Sequence, residues 1–286
     1  MFVRLVLMLL LSLSLFLAAL AAAHAALGPL VDTHLHITNF TLIQYPWATQ
    51  TMECPCAPPC ACDWTLSDYA AATASAPASR MVFVEVGAAP AFWLVEATWV
   101  QGLIASGAAP QIGAIMAQRP PGFGVPGASS SAVGAALASL GALSHVRGVR
   151  AGAVDWANLT AVDAVTPHFR LLLQHGMGTA DIITSVTAAS AAGLARLAAA
   201  VPTLALVLDH HGSPPCLGNA SAVADWQAGM AALGRLPNVY VKFGGLIQYY
   251  HSTQAVPTLQ QLAPFANWAL DHFRGRAVFE RNWFFW

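Results

Sequence analysis

Short apolar stretches rich in β-branched residues alternate with segments of helical pattern, and this alternation constrains the fold more than any other feature of the sequence. Such stretches are typical of buried strands, and regular strand–helix alternation with short connections favours a parallel sheet. Strands are predicted at 27–36, 80–86, 111–116, 146–150, 179–184, 204–209, 239–243 and 277–280. Eight such units match a (β/α)8 TIM barrel. A doubly wound open sheet is the alternative, although no Gly-x-Gly-x-x-Gly motif follows any strand, which weakens a dinucleotide-binding version.

Helices are predicted between most of these strands. One is expected to begin at Thr166-Pro167, because proline near a helix start costs little, and to stop at Gly176. The other predicted helices span 66–76, 93–105, 132–143, 188–200, 222–233 and 257–273. The sequence ends at Trp286 with no closing helix after the last strand, so a barrel lacking its last helix, truncated at the C-terminus, is expected.

The first residues have the pattern of a secretory signal peptide. Arg4 precedes a Leu-rich run at 5–23, and Ala23-His24-Ala25 is a small-x-small cleavage site. Cleavage after Ala25 would leave one barrel domain, residues 26–286, in a secreted or secretory-pathway form. An uncleaved membrane anchor is the alternative, since the run is long enough to span a bilayer.

Four cysteines, Cys54, Cys56, Cys60 and Cys62, lie in a Pro-rich, Cys-rich loop at 52–63. In an oxidising compartment two disulfides are expected, with the first Cys-x-Cys pair bonding across to the second. A four-thiolate zinc site is the alternative, and Cys216 is an odd fifth cysteine. Asn-x-Ser/Thr sequons at Asn39, Asn158 and Asn219 would mark a glycoprotein if the chain is secreted.

The composition limits the partners. Only 9% of residues are charged, the hydrophobic fraction is 57%, and the net charge is -1. This leaves no electrostatic footprint for a nucleic acid or an anionic membrane, so a small-molecule substrate is expected. The oligomeric state is not predicted.

The motif Asp32-Thr33-His34-Leu35-His36 ends the first strand. Alternate side chains on a strand share a face, so His34 and His36 should point the same way, about 7 Å apart. Paired imidazoles fill an apolar core poorly, but they suit a metal or the polarisation of a substrate carbonyl. The alternative is a pair satisfied by local hydrogen bonds.

Further polar residues come near the ends of other predicted strands, where the active sites of TIM barrels lie. They are Glu85, Arg150, His210 and Lys242. Glu85 and Lys242 could also be ordinary rim residues, and Arg150 could simply pair with Asp155 or Asp163. His211 should face away from the site, because neighbours on a strand alternate.

Several motifs in this order resemble the amidohydrolase-related family, closest to the branch of sugar lactonases and dicarboxylate-lactone hydrolases. They are Asp32 to His36, Tyr45-Pro46-Trp47, Val82 to Glu85, Val146 to Arg150, Leu208 to Gly212 and Asn238 to Lys242. The resemblance implies a metal-dependent-hydrolase barrel in which His34, His36 and His210 surround the scissile carbonyl of a lactone attacked by water. It also implies that Arg150 holds a carboxylate or sugar hydroxyl. Glu85 and Lys242 are expected to bind the substrate because of their places near strand ends. His34 and His36 would bind one divalent metal such as zinc, although some members work without a metal.

The sequence departs from the family at the last strand. The family motif Phe-Gly-Ser-Asp-Trp-Pro is replaced by Phe279-Glu280-Arg281-Asn282-Trp283-Phe284. The general-base Asp is thus Asn282, whose neutral amide accepts no proton, and losing a base typically costs 10²–10⁴-fold in rate. Glu280 could substitute as the base. The alternatives are a truncated hydrolase and a non-catalytic barrel that binds a sugar or an acid.

Overall fold

The computed structural model describes residues 29–49, 63–152, 154–253 and 256–283. The predicted signal peptide, and the Cys-rich loop with Cys54, Cys56, Cys60 and Cys62, lie outside the described residues, apart from Asp63 at the loop's end.

Eight parallel strands form one sheet in consecutive order and make a nearly closed barrel, which confirms the predicted (β/α)8 class. An open doubly wound sheet would instead reverse its strand order at a switch point. The strands are β1 (Val31–Leu35), β2 (Arg80–Val84), β3 (Ile112–Gln118), β4 (Val146–Ala151), β5 (Thr179–Ile182), β6 (Ala205–Leu208), β7 (Val239–Phe243) and β8 (Ala277–Phe279).

Seven α-helices are found among the described residues and pack around the strands. They are α1 (Leu66–Ala72), α2 (Trp93–Ala105), α3 (Ser130–Gly141), α4 (Leu159–Gln174), α5 (Ala188–Ala200), α6 (Ala220–Leu233) and α7 (Leu259–His272). Short 3-10 helices cover Pro46–Thr49, Pro90–Phe92, His210–Gly212 and Leu246–Thr253. Within the described ranges, no helix has the length and apolarity that a membrane crossing requires.

Helix α4 begins earlier than predicted, so the placement of Pro167 at a helix start was wrong. The helix starts at Leu159, where the side chain of Asn158 accepts a hydrogen bond from Ala161 N at 3.1 Å. Proline inside a helix costs about 3 kcal/mol. Burial of an apolar face that includes Phe169 and Leu172 offsets this cost.

Side chains and one backbone N–H close the barrel between β8 and β1, since no backbone ladder joins these two strands in the described part of the chain. Thr33 Oγ1 donates to Phe279 O at 2.8 Å, and Arg281 N donates to Asp32 Oδ1 at 3.1 Å. Tyr69 of α1 donates to the other Asp32 oxygen at 2.8 Å. The outer face of this junction is an apolar groove of about 950 Å³ between α7 and α1.

Gly148 of β4 is a position where only glycine fits. A Cβ there would overlap the carbonyl oxygen of Thr179 and lie 2.7 Å from Met116 Cε. Gly148→Ala is therefore expected to lower the free energy of unfolding by about 1–3 kcal/mol, as overpacking does. Urea denaturation measures this loss. Gly113→Ala on β3 is the matched control, because its Cβ would meet nothing within 4 Å. Equal effects of the two substitutions would contradict the packing argument.

Candidate functional site

Three imidazoles meet at the C-terminal ends of the strands. The ring centroids of His34 and His36 are 4.7 Å apart, as are those of His34 and His210. The strand spacing predicted about 7 Å between His34 and His36, but the rings turn towards each other, and their Nε2 atoms are 3.0 Å apart. All three side chains are buried. The structure thus brings together residues that are about 175 positions apart in the sequence.

Glu280, just after β8, lies between two of these rings. Its Oε1 is 2.7 Å from His210 Nδ1, and its Oε2 is 2.7 Å from His34 Nδ1. The side chain is fully enclosed. Gly244 and Gly245 pack against it, since a Cβ at Gly244 would lie 2.6 Å from Glu280 Cγ and one at Gly245 would lie 2.6 Å from His210 Nδ1. The only carboxylate of the last-strand motif is therefore at the centre of the histidine cluster.

Asn282 lies on the other side of the cluster, next to His36. Its Oδ1 is 3.2 Å from His36 Nε2, and its Nδ2 donates to Gln248 Oε1 at 3.3 Å. The backbone φ of +54° is a left-handed conformation that Asn adopts more readily than most residues. His36 Nδ1 is 2.9 Å from Val84 O, and because a carbonyl only accepts, this ring nitrogen carries the hydrogen. In the neutral ring, Nε2 then presents a lone pair to the site.

The ammonium group of Lys242 lies next to Nδ1 of His34, and its charge is neutralised by two aspartates. Its Nζ donates to Asp181, lies 2.9 Å from Asp209 Oδ1, and is 3.2 Å from His34 Nδ1. Burial alone would lower the pKa of Lys242, but Asp181, Asp209 and Glu280 raise it, so the amine stays charged. Burial raises the pKa of Asp181 to about 6, although Lys242 opposes this shift.

Arg150 is also held by carboxylates. Its Nε donates to Asp209 Oδ2 at 2.9 Å, and one terminal nitrogen is 3.5 Å from Glu85 Oε1. The alternative that Arg150 pairs with Asp155 or Asp163 is wrong, since Asp163 pairs instead with Arg196 at the surface. Burial would lower the pKa of Arg150, but Asp209 and Glu85 raise it above its usual value.

His210 and His211 do not lie on β6, so the argument from strand alternation was wrong. Strand β6 ends at Leu208, and both histidines are in a 3-10 turn with φ values of +48° and +56°. His210 turns towards Glu280, whereas His211 Nδ1 lies 3.0 Å from Gly244 O and its ring packs on Phe243.

Sequence reasoning did not single out Asp181 or Asp209 as members of this cluster. Asp181 is the penultimate residue of β5, the same place that Arg150 has on β4 and Lys242 on β7. Arg150 and Asp181 are register partners on neighbouring strands. A carboxylate among the apolar residues of a buried strand must be paired, and this signal could have identified Asp181.

The donor set fits a divalent cation. His34, His210 and Glu280 each offer one ligand atom, and these atoms all lie within 4.8 Å of one another. Burial, followed by the charge of Lys242, lowers the pKa of His34 well below its usual value, and burial also lowers the pKa of His36 to about 3. Both rings are therefore neutral at pH 7, which is the form that ligates metals.

The depressed pKa of His36 makes stability depend on pH. The unfolded chain takes up a proton near pH 6.5, whereas the folded protein holds the pKa at about 3, so stability falls on acidification between these values. From pH 7 to pH 5, the wild type is expected to lose about 2 kcal/mol more unfolding free energy than His36→Gln. The raised pKa of Asp181 acts in the opposite direction in both proteins and cancels in the comparison.

Urea denaturation at the two pH values measures this difference. His175→Gln, at a half-exposed position at the end of α4, is the control and should behave as the wild type. Equal pH dependence of wild type and His36→Gln would show that His36 is not buried as a neutral ring.

Barrels with imidazoles and carboxylates gathered at the carboxyl ends of their strands are typical of enzymes that act on small molecules. The amidohydrolase family model (Amidohydro_2) matches residues 31–286, and the chain belongs to this family. Membership supports a hydrolase activity. No curated protein gives a significant match to the sequence.

Solved structures of amidohydrolases share the fold. An amidohydrolase from Burkholderia multivorans with bound zinc has a TM-score of 0.66 at 20% identity, over 90% of this chain and 84% of that chain. Amidohydrolase 2 from Bifidobacterium longum subsp. infantis has a TM-score of 0.59 at 21% identity, over 89% and 84%. A probable 2-pyrone-4,6-dicarboxylic acid hydrolase from Acinetobacter baumannii with bound citric acid has a TM-score of 0.57 at 14% identity, over 89% and 84%.

Proposed function

We propose that this protein hydrolyses a small lactone or a related carbonyl compound by attack of water at the histidine cluster. The observation that carries the proposal is the convergence of His34, His36 and His210 around one point at the strand ends of an amidohydrolase barrel. The fold shared with a probable dicarboxylic acid hydrolase supports the choice of substrate class.

Each polar side chain of the site has a separate role in the proposed hydrolysis. The Nε2 lone pair of His36 faces His34 Nε2 at 3.0 Å, and an attacking water that enters the cluster would replace this contact and donate a hydrogen bond to the same nitrogen. Arg150 is anchored through Nε by Asp209, while its longer contact with Glu85 leaves a terminal nitrogen that can turn to a substrate carboxylate.

Lys242 neutralises the neighbouring aspartates and stays paired with them, so it has no direct role with the substrate. His34, His210 and Glu280 could hold a divalent cation such as zinc, which when bound supplies Lewis-acid polarisation of the carbonyl.

A second candidate, a non-catalytic barrel that binds a small sugar or acid, is favoured by one observation. The neutral amide of Asn282 lies where the family motif has its Asp, 3.2 Å from His36 Nε2. This candidate predicts stabilisation by ligands without product.

The test is a panel of sugar lactones and dicarboxylate lactones, assayed with the purified chain. We expect turnover that falls to background in the double variant His34→Ala/His36→Ala, because this variant removes the two imidazoles at the end of β1. Thermal shifts with the same compounds are recorded in parallel. Stabilisation without turnover in the wild type and in Asn282→Asp would instead favour the binding protein.

We further propose that the chain enters the secretory pathway through the signal peptide at 1–25. Two disulfides among Cys54, Cys56, Cys60 and Cys62 and glycans on the sequons then follow. Asn158 and Asn219 are exposed N-caps of α4 and α6, with side-chain oxygens that accept backbone hydrogen bonds. Their Nδ2 atoms remain available for a glycan. Intact mass of the secreted protein, before and after reduction and deglycosylation, tests all three points.

A further inference from the structure

We infer that Gln118, the last residue of β3, determines specificity by accepting a hydrogen bond from a hydroxyl group of the substrate. That hydroxyl group lies beside the carboxylate or carbonyl group that Arg150 holds. The inference rests on the proposed function and deepens it, because it selects lactones with a hydroxyl group next to the carbonyl over lactones that carry a second carboxylate there.

Gln118 lies on the same face of the sheet as Arg150. The two residues are register partners on β3 and β4. Met116 and Gly148 are the register partners two residues earlier, and a Cβ at Gly148 would lie 2.7 Å from Met116 Cε, so these residues share one face. Because alternate residues of a strand point the same way, Gln118 and Arg150 share that face too. Arg150 reaches Asp209, so this is the face that holds the polar cluster.

The contacts of the Gln118 side chain fix the orientation of its amide. Nε2 donates to the backbone oxygen of Ala88 at 2.8 Å, and since a carbonyl only accepts, the amide nitrogen must lie on that side. The other amide atom, Oε1, is buried and has no hydrogen-bond partner among the described residues. A buried acceptor without a donor is costly, so Oε1 calls for an O–H or N–H group from a bound molecule.

Gln118 lies on the side of the cluster that solvent reaches. The side chains of Arg150 and Glu85 are 11% and 12% exposed, whereas those of Asp209 and Glu280 are fully buried. Gln118 is half-buried, and its partner Ala88 comes three residues after Glu85. The route into the cluster therefore runs over the ends of β2 to β4 and passes Gln118.

Arg150 and Gln118 offer complementary groups to a substrate. A guanidinium nitrogen of Arg150 can only donate, whereas Oε1 of Gln118 can only accept. A carboxylate or the lactone carbonyl suits the first group, and a hydroxyl on the neighbouring carbon suits the second. A second carboxylate is ionised at pH 7 and has no hydrogen, so beside Oε1 it would set two acceptors against each other.

The test compares ligands that differ by a single hydroxyl group. They are α-hydroxy-γ-butyrolactone and γ-butyrolactone, together with their ring-opened acids. Calorimetry measures Kd for the acids, initial rates measure KM for the lactones, and the enantiomers of the hydroxylated compounds are tested separately. We expect the wild type to bind one enantiomer of the hydroxylated acid at least about 5-fold more tightly than the acid that lacks the hydroxyl, because the hydroxyl satisfies a buried acceptor.

In Gln118→Met, whose side chain has a similar length but no acceptor oxygen, this preference should fall to less than about 2-fold. Gln111→Met makes the same change at an exposed position just before β3 and should keep the preference. Circular dichroism checks that each variant is folded. If Gln118→Met does not fold, Gln118→Asn provides an independent test, because it withdraws the oxygen by one methylene group.

Equal affinity of the wild type for the two acids, or binding of neither acid, would overturn the inference, as would a preference that persists in Gln118→Met. A preference that Gln118→Met abolishes, without turnover of either lactone, would support the role of Gln118 in binding and overturn the hydrolase proposal alone. Turnover of both lactones by the wild type with equal KM values would overturn the inference alone.

Discussion

Replacing Lys242 by methionine is expected to lower the free energy of unfolding by about 3–5 kcal/mol, as breaking a buried ion pair from one side does. The ammonium group is the shared partner of Asp181 and Asp209, both of which are buried. Without it, Asp181 must be protonated or remain as an unpaired charge in the barrel interior. Asp209 keeps its contact with Arg150 and lies 3.8 Å from His34 Nδ1.

Urea denaturation at pH 7 measures the loss for Lys242→Met. Arg196→Ala, which breaks the ion pair with Asp163 at the surface, is the control and should change stability little, because exposed pairs are screened by water. If Lys242→Met and Arg196→Ala have similar small effects, the aspartates are not dependent on Lys242, and the buried charge cluster is not arranged as described.

Under the proposed function, placing a carboxylate at position 282 by Asn282→Asp is expected to raise kcat/KM on the best lactone of the panel by about 10²–10⁴-fold, because a carboxylate can act as a general base and an amide cannot. The side chain at 282 already lies 3.2 Å from His36 Nε2, so a carboxylate there could accept a proton from a water molecule held by that ring. Asp tolerates the left-handed backbone of this residue nearly as well as Asn. Gln248 can turn its amide to donate to the new oxygen.

Initial rates on the lactone panel, with matched protein concentrations, measure this gain. Asn282→Ala is the control that changes the same position without adding a carboxylate, and it should give no increase. The extra buried negative charge should lower the melting temperature of Asn282→Asp, so folding is checked in the same samples. A folded Asn282→Asp with no gain would mean that the base is not what limits the reaction.

Much of the barrel could be predicted because its strands and helices are locally consistent. Helices α2 and α5 and strand β7 have the predicted bounds, since apolar periodicity and short polar connections agree in each. Helix α4 begins before the predicted start, because Pro167 lies inside the helix and Asn158, predicted only as a sequon, caps its first turn.

The geometry of the site was less predictable, because it depends on which side chains of different strands contact one another. The sequence indicated that His34, His36 and His210 approach one rim, and the structure brings them together. It could not show that Glu280 lies between His34 and His210, because the backbone path after β8 sets the depth of that side chain. Nor could it show which carboxylates hold Arg150 and Lys242, since Asp181 is on β5 and the other two partners directly follow β2 and β6.

The closure between β8 and β1 has a consequence for binding. His34 is on β1 and His36 directly follows it, whereas Glu280 and Asn282 follow β8, and a few hydrogen bonds join the two strands among the described residues. Any ion or substrate that touches both groups also ties the first strand to the last, so occupancy and barrel closure are thermodynamically linked. Backbone amides of β1 and β8 should then exchange with deuterium more slowly in the bound protein than in the free one, while those of β4 and β5 should not change.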